Sequence, residues 1–407
     1  MLRAVLFKIL FLIGLALFLP RILLLYAPYA AHINHNLRLQ QTDDIEIGLI
    51  SLPDYLKMHS SHSSISNVLL VTNQLNSFNQ EQYLGYLADY RLHPKLIYQI
   101  TPQVVAKLPS HVHSKRQCLS DFLVPQLELS ELEQVEGVVV DLQNSGFVTD
   151  QALDTLIQVM QLAVVAHKPV MLLDRPNPLG YLYEGPMAEL KIGRSRAKIP
   201  WRYGISLGEL ASFLNSAYLD DQLKLIILPV RNYLRNQQAV KFEQLQLVYT
   251  QSFFELLNQI CPADIKRDCH DDFQCFSLPE YLNFPINKWY ELRSTLRKYE
   301  IDVSLCRYLN RRTQQHFVGV RLMINDINRV SYVMLWQAIV QQMQQAQISV
   351  HSSEKINRLF GKNTAKRLLQ GKFSVEFSQR LNLDLQGYAA RIKPFLLYRP
   401  WPIPVLH

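Results

Sequence analysis

Residues 169–186 read PVMLLDRPNPLGYLYEGP. The run Val170 to Leu173 is apolar on every residue, the pattern of a strand buried on both faces. It stops on Asp174. Pro176 and Pro178 then forbid its continuation, because each lacks an N–H and drives its predecessor out of helical geometry. Asn177 and Gly180 suit the bends that remain. An apolar strand that delivers Asp174, Arg175 and Asn177 into a stiff loop is how an open α/β sheet builds a site beyond the carboxyl ends of its strands. The alternative is a structural corner, with Arg175 paired to a neighbouring carboxylate.

Working outward, the same unit recurs. Asn67 to Thr72 (NVLLVT) is a β-branched run ending on Asn73 and Gln74, a helical pattern follows over Gln80 to Arg91, and Lys95 to Ile100 is a second strand. Gly137 to Leu142 is a third strand, followed by a helix over Asp150 to His167 and then the Pro169 stretch itself. Ser206-Leu-Gly-Glu209 is a capping box that opens a helix to about Tyr218, ahead of a strand over Leu223 to Leu228. Strand, helix and strand at this spacing is the βαβ unit of a parallel sheet. Residues 45–230 therefore read as a doubly wound, Rossmann-like α/β domain. Beyond it, residues 231–407 read as a smaller α+β domain: a strand over Phe317 to Asn325, a long amphipathic helix over Val330 to Ala346, three further helical stretches and a Pro-rich end.

Composition narrows the function classes. The chain has 407 residues and only 14 glycines, and neither G-x-G-x-x-G nor G-x-x-x-x-G-K-[ST] occurs, so no nucleotide cofactor is expected. The formal charge of +8 suggests an anionic neighbour. Its densest run, Lys191, Arg194, Arg196, Lys198 and Arg202, reads as a loop with Trp201 as its single stacking aromatic, and no nucleic-acid-binding module is visible. In residues 1–31, Arg3 and Lys8 precede the apolar run Ile9 to Leu19 and then Ile22 to Tyr26. That is a signal or anchor segment, read here as an uncleaved inner-membrane anchor with the body exported to the periplasm or envelope. Residues 32–44 look like a tether. Cys118, Cys261, Cys269, Cys275 and Cys306 have spacings that fit no zinc pattern, so no metal is expected; a disulfide among Cys261, Cys269 and Cys275 suits an exported protein.

These residues support a resemblance. Thr72-Asn73-Gln74, the segment Asp141-Leu142-Gln143-Asn144-Ser145-Gly146, the run Asp174 to Pro178 with Gly180 and Glu184-Gly185-Pro186, and Pro200, Arg202, Tyr203, Gly204 through Gly208-Glu209-Leu210 occur in one order. So do Gly319-Val320-Arg321 with Asn325-Asp326, and Phe395-Leu396-Leu397-Tyr398. Together they resemble the exo-β-N-acetylmuramidase family, which acts on peptidoglycan fragments. The resemblance implies a Rossmann-like domain and a smaller one with a cleft between them. It implies substrate contacts from Asn73, Gln103, Gln143, Arg175, Asn177, Arg202 and Tyr203.

The departures are as informative. After its second strand the family carries P-E-H-G, whose Glu is the catalytic acid implied by the resemblance; this chain has Pro102-Gln103-Val104-Val105. The family's R-H-G histidine is Tyr203 here, and its central substrate loop has no counterpart in residues 231–300. Glycoside hydrolysis needs a carboxylic acid to protonate the leaving oxygen, which an amide cannot do. Asp141, Asp174 and Glu184 are the candidate catalytic replacements. The expected function is therefore an exported, membrane-anchored protein that binds a peptidoglycan-derived saccharide with hydrolysis impaired or lost. A glycosidase with a relocated acid, and a non-catalytic envelope scaffold for a protein partner, are the alternatives.

Overall fold

The computed structural model describes residues 67–73, 93–99, 127–230, 232–235, 249–250, 253, 256–257, 275–299, 301–310, 314–348, 350–371, 373–399 and 403–404. The anchor and tether, the helix expected at 80–91, Gln103, Cys118, Cys261 and Cys269 lie outside them.

The sheet that carries the site has five strands, all parallel: β1 (Asn67–Thr72), β2 (His93–Gln99), β3 (Gly137–Asp141), β4 (Val170–Leu173) and β7 (Leu225–Leu228), in the order β2-β1-β3-β4-β7. The side chains of β1, β3 and β4 are apolar with little alternation because both faces are covered. Leu69, Val71, Val138 and Val140 join the main core, and Val68, Leu70 and Val139 on the opposite pleat are equally buried. Helix α1 (Leu129–Glu133) precedes β3, α2 (Gln151–Val165) links β3 to β4, and α3 (Leu207–Tyr218) precedes β7. Asp150 caps α2 by accepting from Ala152 N at 2.9 Å, and the Ser206/Glu209 box at α3 is complete in both directions. The order reverses between β1 and β3, which makes their carboxyl ends the sheet's switch point.

One sequence expectation is corrected. The basic stretch is not a loop: β5 (Leu182–Ile192) and β6 (Ser195–Tyr203) form an antiparallel hairpin, inserted between β4 and α3. Ala188, Leu190, Ile192, Ala197 and Ile199 fill its inner face, and Trp201 is fully buried, stacked on Phe253 and edge-on to Trp336. Trp201 therefore has no surface on which to stack a ligand. The short strand β11 (Ile403–Pro404) runs parallel beside β5.

A second sheet, β8 (Cys275–Pro279), β10 (Gln315–Ile324) and β9 (Ile301–Asn310) in the order β8-β10-β9, is antiparallel. Helix α4 (Ile286–Arg297) packs on it, followed in the chain by α5 (Tyr332–Gln345), α6 (Glu354–Phe360), α7 (Lys362–Leu369) and α8 (Val375–Ile392). Asp326 shapes the turn before α5, accepting from Asn328 N at 2.9 Å. One buried apolar cluster runs from Leu69 to Ile392 through both halves of the chain. Among the described residues, no helix is long and apolar enough to cross a membrane.

Candidate functional site at the switch point

Strands β1, β3 and β4 end side by side on Thr72, Asp141 and Leu173, so the polar residues that follow them meet at one edge of the sheet. The arrangement separates the sequence candidates into two groups.

The first group is buried framework. Asp141 and Arg175, at the ends of neighbouring strands, form a bidentate pair: Nε to Oδ1 at 2.6 Å and Nη2 to Oδ2 at 3.1 Å, both side chains within 3% of full burial. The fork that would hold a substrate carboxylate is committed to the protein's own. Asn177 closes the loop on itself, donating to Ile205 O at 2.8 Å and accepting from Leu179 N at 2.9 Å. Here the structural-corner reading is the one the geometry supports.

Asp174 has no exposed surface. Its Oδ2 accepts from Ser206 Oγ at 2.6 Å and from the Tyr398 hydroxyl at 2.7 Å, and its Oδ1 accepts from Gly208 N at 2.8 Å. Ser206 and Gly208 are the N-cap and first turn of α3, where orphan amides and the helix dipole favour an anion. Burial nevertheless dominates and raises its pKa to about 6, against the lowering effect of the Ser206 and Tyr398 bonds. Glu184 repeats the device at α5, accepting from Ser331 Oγ at 2.9 Å and from Tyr332 N at 2.9 Å, with Arg202 Nη1 at 3.6 Å. The two terminal nitrogens of Arg202 also donate to main-chain oxygens of Leu179, Ile327 and Val330, while its buried Nε has no hydrogen-bond partner among the described residues. Tyr203 is wholly buried; its hydroxyl accepts from Asn144 Nδ2 at 2.5 Å, and burial pushes its pKa far above the usual phenol range.

The second group keeps solvent contact. Asn73 and Gln143 are half-buried and bridge the switch point: Asn73 Nδ2 donates to Gln143 O at 2.7 Å, and Gln143 N donates to Asn73 Oδ1 at 3.0 Å. The Asn73 amide thus continues the β1–β3 ladder by one step past the last strand residue. Gln143 Nε2 reaches on to Pro176 O at 3.1 Å, tying in the loop after β4. Ser145, also half-buried, lies in the same loop, its N–H donating to Asp150.

Sequence reasoning assigned Glu209 a capping role, and the structure adds to it. Glu209 also pairs with buried Arg235 and accepts from the main chain of Leu397, at 2.6 Å, and of Tyr398. The Asp174–Tyr398 bond joins positions 224 residues apart, and no local pattern signals it. Among the described residues, no group of His, Cys, Asp and Glu could hold a metal ion.

Comparison with known proteins finds similarity in sequence and in fold. Residues 125–256 match the family model described as exo-beta-N-acetylmuramidase NamZ, N-terminal. The peptidoglycan beta-N-acetylmuramidase NamZ of Bacillus subtilis (strain 168) is 33% identical over 93 residues, a match spanning 22% of this chain and 22% of that protein. Two solved DUF1343 family proteins from Bacteroides fragilis NCTC 9343 share the fold. Each has a TM-score of 0.58 at 17% identity and covers 88% of this chain, over 100% and 99% of their own lengths. In sequence the chain is thus similar to the NamZ N-terminal domain, and in fold to the DUF1343 proteins.

Proposed function

We propose that the chain binds a peptidoglycan-derived saccharide ending in N-acetylmuramic acid, in the crevice at the switch point, and that it hydrolyses that saccharide slowly or not at all. One observation carries the second half of this reading: Asp141, Asp174 and Glu184, the candidate replacement acids, are each fully buried and each held by internal donors. A proton donor for a glycosidic oxygen has to reach that oxygen within hydrogen-bond distance. Moving any of the three out would break a buried pair or strip a helix N-terminus of its anion. Gln103, where the family resemblance implies a Glu, supplies no proton.

The saccharide half rests on the similarity to NamZ and on the polar floor made by Asn73 and Gln143. Besides the main-chain bonds they make, the half-buried side-chain amides of Asn73 and Gln143 are uncharged groups of the kind that suits sugar hydroxyls and N-acetyl groups. Calorimetry with a muramic-acid-ended disaccharide tests it. An Asn73→Ala/Gln143→Ala variant is expected to bind about ten-fold more weakly than the parent, the loss of one or two hydrogen bonds. Equal affinity in parent and variant would place the ligand elsewhere, and absence of binding by the parent would favour the scaffold alternative.

A further inference from the structure

The solvent face of the β5–β6 hairpin has no role in the crevice. Its cross-strand register sets Lys191 directly opposite Arg196, and Glu189 opposite Lys198. Like charges placed opposite each other destabilise a strand pair, and the exposed Glu189 to Arg196 contact, at 3.5 Å, offsets little of it. Arg194 extends the positive face around the turn. Arg391 of α8 joins it from the side, its Nη2 3.5 Å from Lys198 O and its guanidinium over the Phe213 ring. Lys191, Arg194, Arg196 and Lys198 of the hairpin, with Arg391 of α8, gather about Glu189, at a cost in local stability and with a surface complementary to an anion as the result; Asp154 of α2 lines the same cavity as Lys191.

Its position identifies the kind of anion. Helix α2 returns from the carboxyl end of β3 to the amino end of β4, and the hairpin turn is fixed near its close, with Gly193 N donating to Gln161 Oε1 at 2.9 Å. The turn therefore stands at the amino-terminal edge of the parallel sheet, opposite the crevice. Val165, one helical turn beyond Gln161, is 61% exposed at the same edge. Asn67, which opens β1, is there too, its N–H bonded to Glu136 beside the start of β3. The sequence N-terminal to Asn67 includes the apolar run Ile9 to Leu19. Glu136, Asp220 and Asp221, all exposed, are opposing charges at the same edge.

We propose that the β5–β6 hairpin is a docking surface for an anionic phospholipid bilayer, its cations meeting headgroups while Val165 meets the interface and the crevice faces away. An apolar segment and a basic patch are the two signals that together hold a protein to a membrane. This inference is independent of the saccharide reading. The test uses the full chain in vesicle flotation, with phosphatidylcholine alone and with added phosphatidylglycerol, at low and high salt. Neutralising the face (Lys191→Gln, Arg194→Gln, Arg196→Gln, Lys198→Gln) is expected to cost about five-fold per cation on the anionic vesicles. It should leave the phosphatidylcholine binding unchanged and should not lower the thermal midpoint, since it relieves the Lys191–Arg196 repulsion. A control set in Arg297, Lys298, Lys362 and Lys366 is expected to lose little. Equal losses from both sets, or no loss from the hairpin set, would overturn the proposal. So would soluble polyglutamate competing as effectively as anionic vesicles, which would make the ligand an acidic polymer.

Discussion

Asp174 illustrates how a carboxylate at a strand end can be recruited as framework. It accepts three hydrogen bonds, yet its desolvation outweighs them, and its pKa rises from 3.8 to about 6. An acid whose folded pKa is raised binds more protons in the native than in the unfolded state over that window, so stability declines as pH rises through it. Asp174→Asn removes the titration. The parent is therefore expected to lose stability relative to Asp174→Asn between about pH 4 and pH 7, by up to roughly 3 kcal/mol. Chemical denaturation of both proteins across that range checks this, and a difference that stays flat with pH would show that Asp174 is solvated. For the Asp141–Arg175 pair, either single truncation leaves a buried uncompensated charge and should cost about 3–5 kcal/mol, whereas the double replacement Asp141→Leu/Arg175→Met should cost much less. The local sequence announced this stretch as important. It could not say whether Arg175 faced a ligand or Asp141, because that depends on which strands are neighbours.

At the scale of elements, the sequence was most legible where one interaction type decides the outcome. Strands β1 and β4 fall on the limits read from their apolar runs, and α3 starts on its capping serine. The hairpin reads as a loop although Ala188-Glu189-Leu190-Lys191-Ile192 and Arg196-Ala197-Lys198-Ile199 alternate with period two, because cations fill most of its outward positions and a dense run of charge resembles a solvated loop. Helix α3 offers a further test. Glycine at its second position would ordinarily be improved by alanine, by about 1 kcal/mol. At Gly208, however, a Cβ would stand 2.7 Å from Asp174 Cγ and 2.9 Å from Ile227 Cγ2. Gly208→Ala is therefore expected to destabilise by about 1–3 kcal/mol, readable as a lower thermal midpoint, with the helix forced off the carboxylate.

Across the whole molecule, the residues on either side of position 230 complete one another. Glu184 is satisfied by Ser331 and Tyr332, Glu209 by Arg235 and the Leu397–Tyr398 main chain, and Asp174 by Tyr398. Residues 1–230 expressed alone would bury three carboxylates short of donors. The division read from the sequence is therefore expected to yield no stably folded fragment, and the full chain is expected to unfold in a single transition by calorimetry. The same long-range bonds explain why the candidate acids looked available in the sequence: Arg175, Ser206, Tyr398, Ser331 and the Tyr332 main chain, which hold them, are not their neighbours along the chain.

The central claim is a saccharide crevice without a proton donor, and release of chromophore from an N-acetylmuramic acid β-glycoside tests it most directly, with the parent and Gln103→Glu side by side. The expected result is negligible turnover by the parent and measurable turnover once the carboxylic acid is restored. Efficient turnover by the parent, unchanged in Gln103→Glu, would contradict it and require an acid that the buried carboxylates described here do not provide.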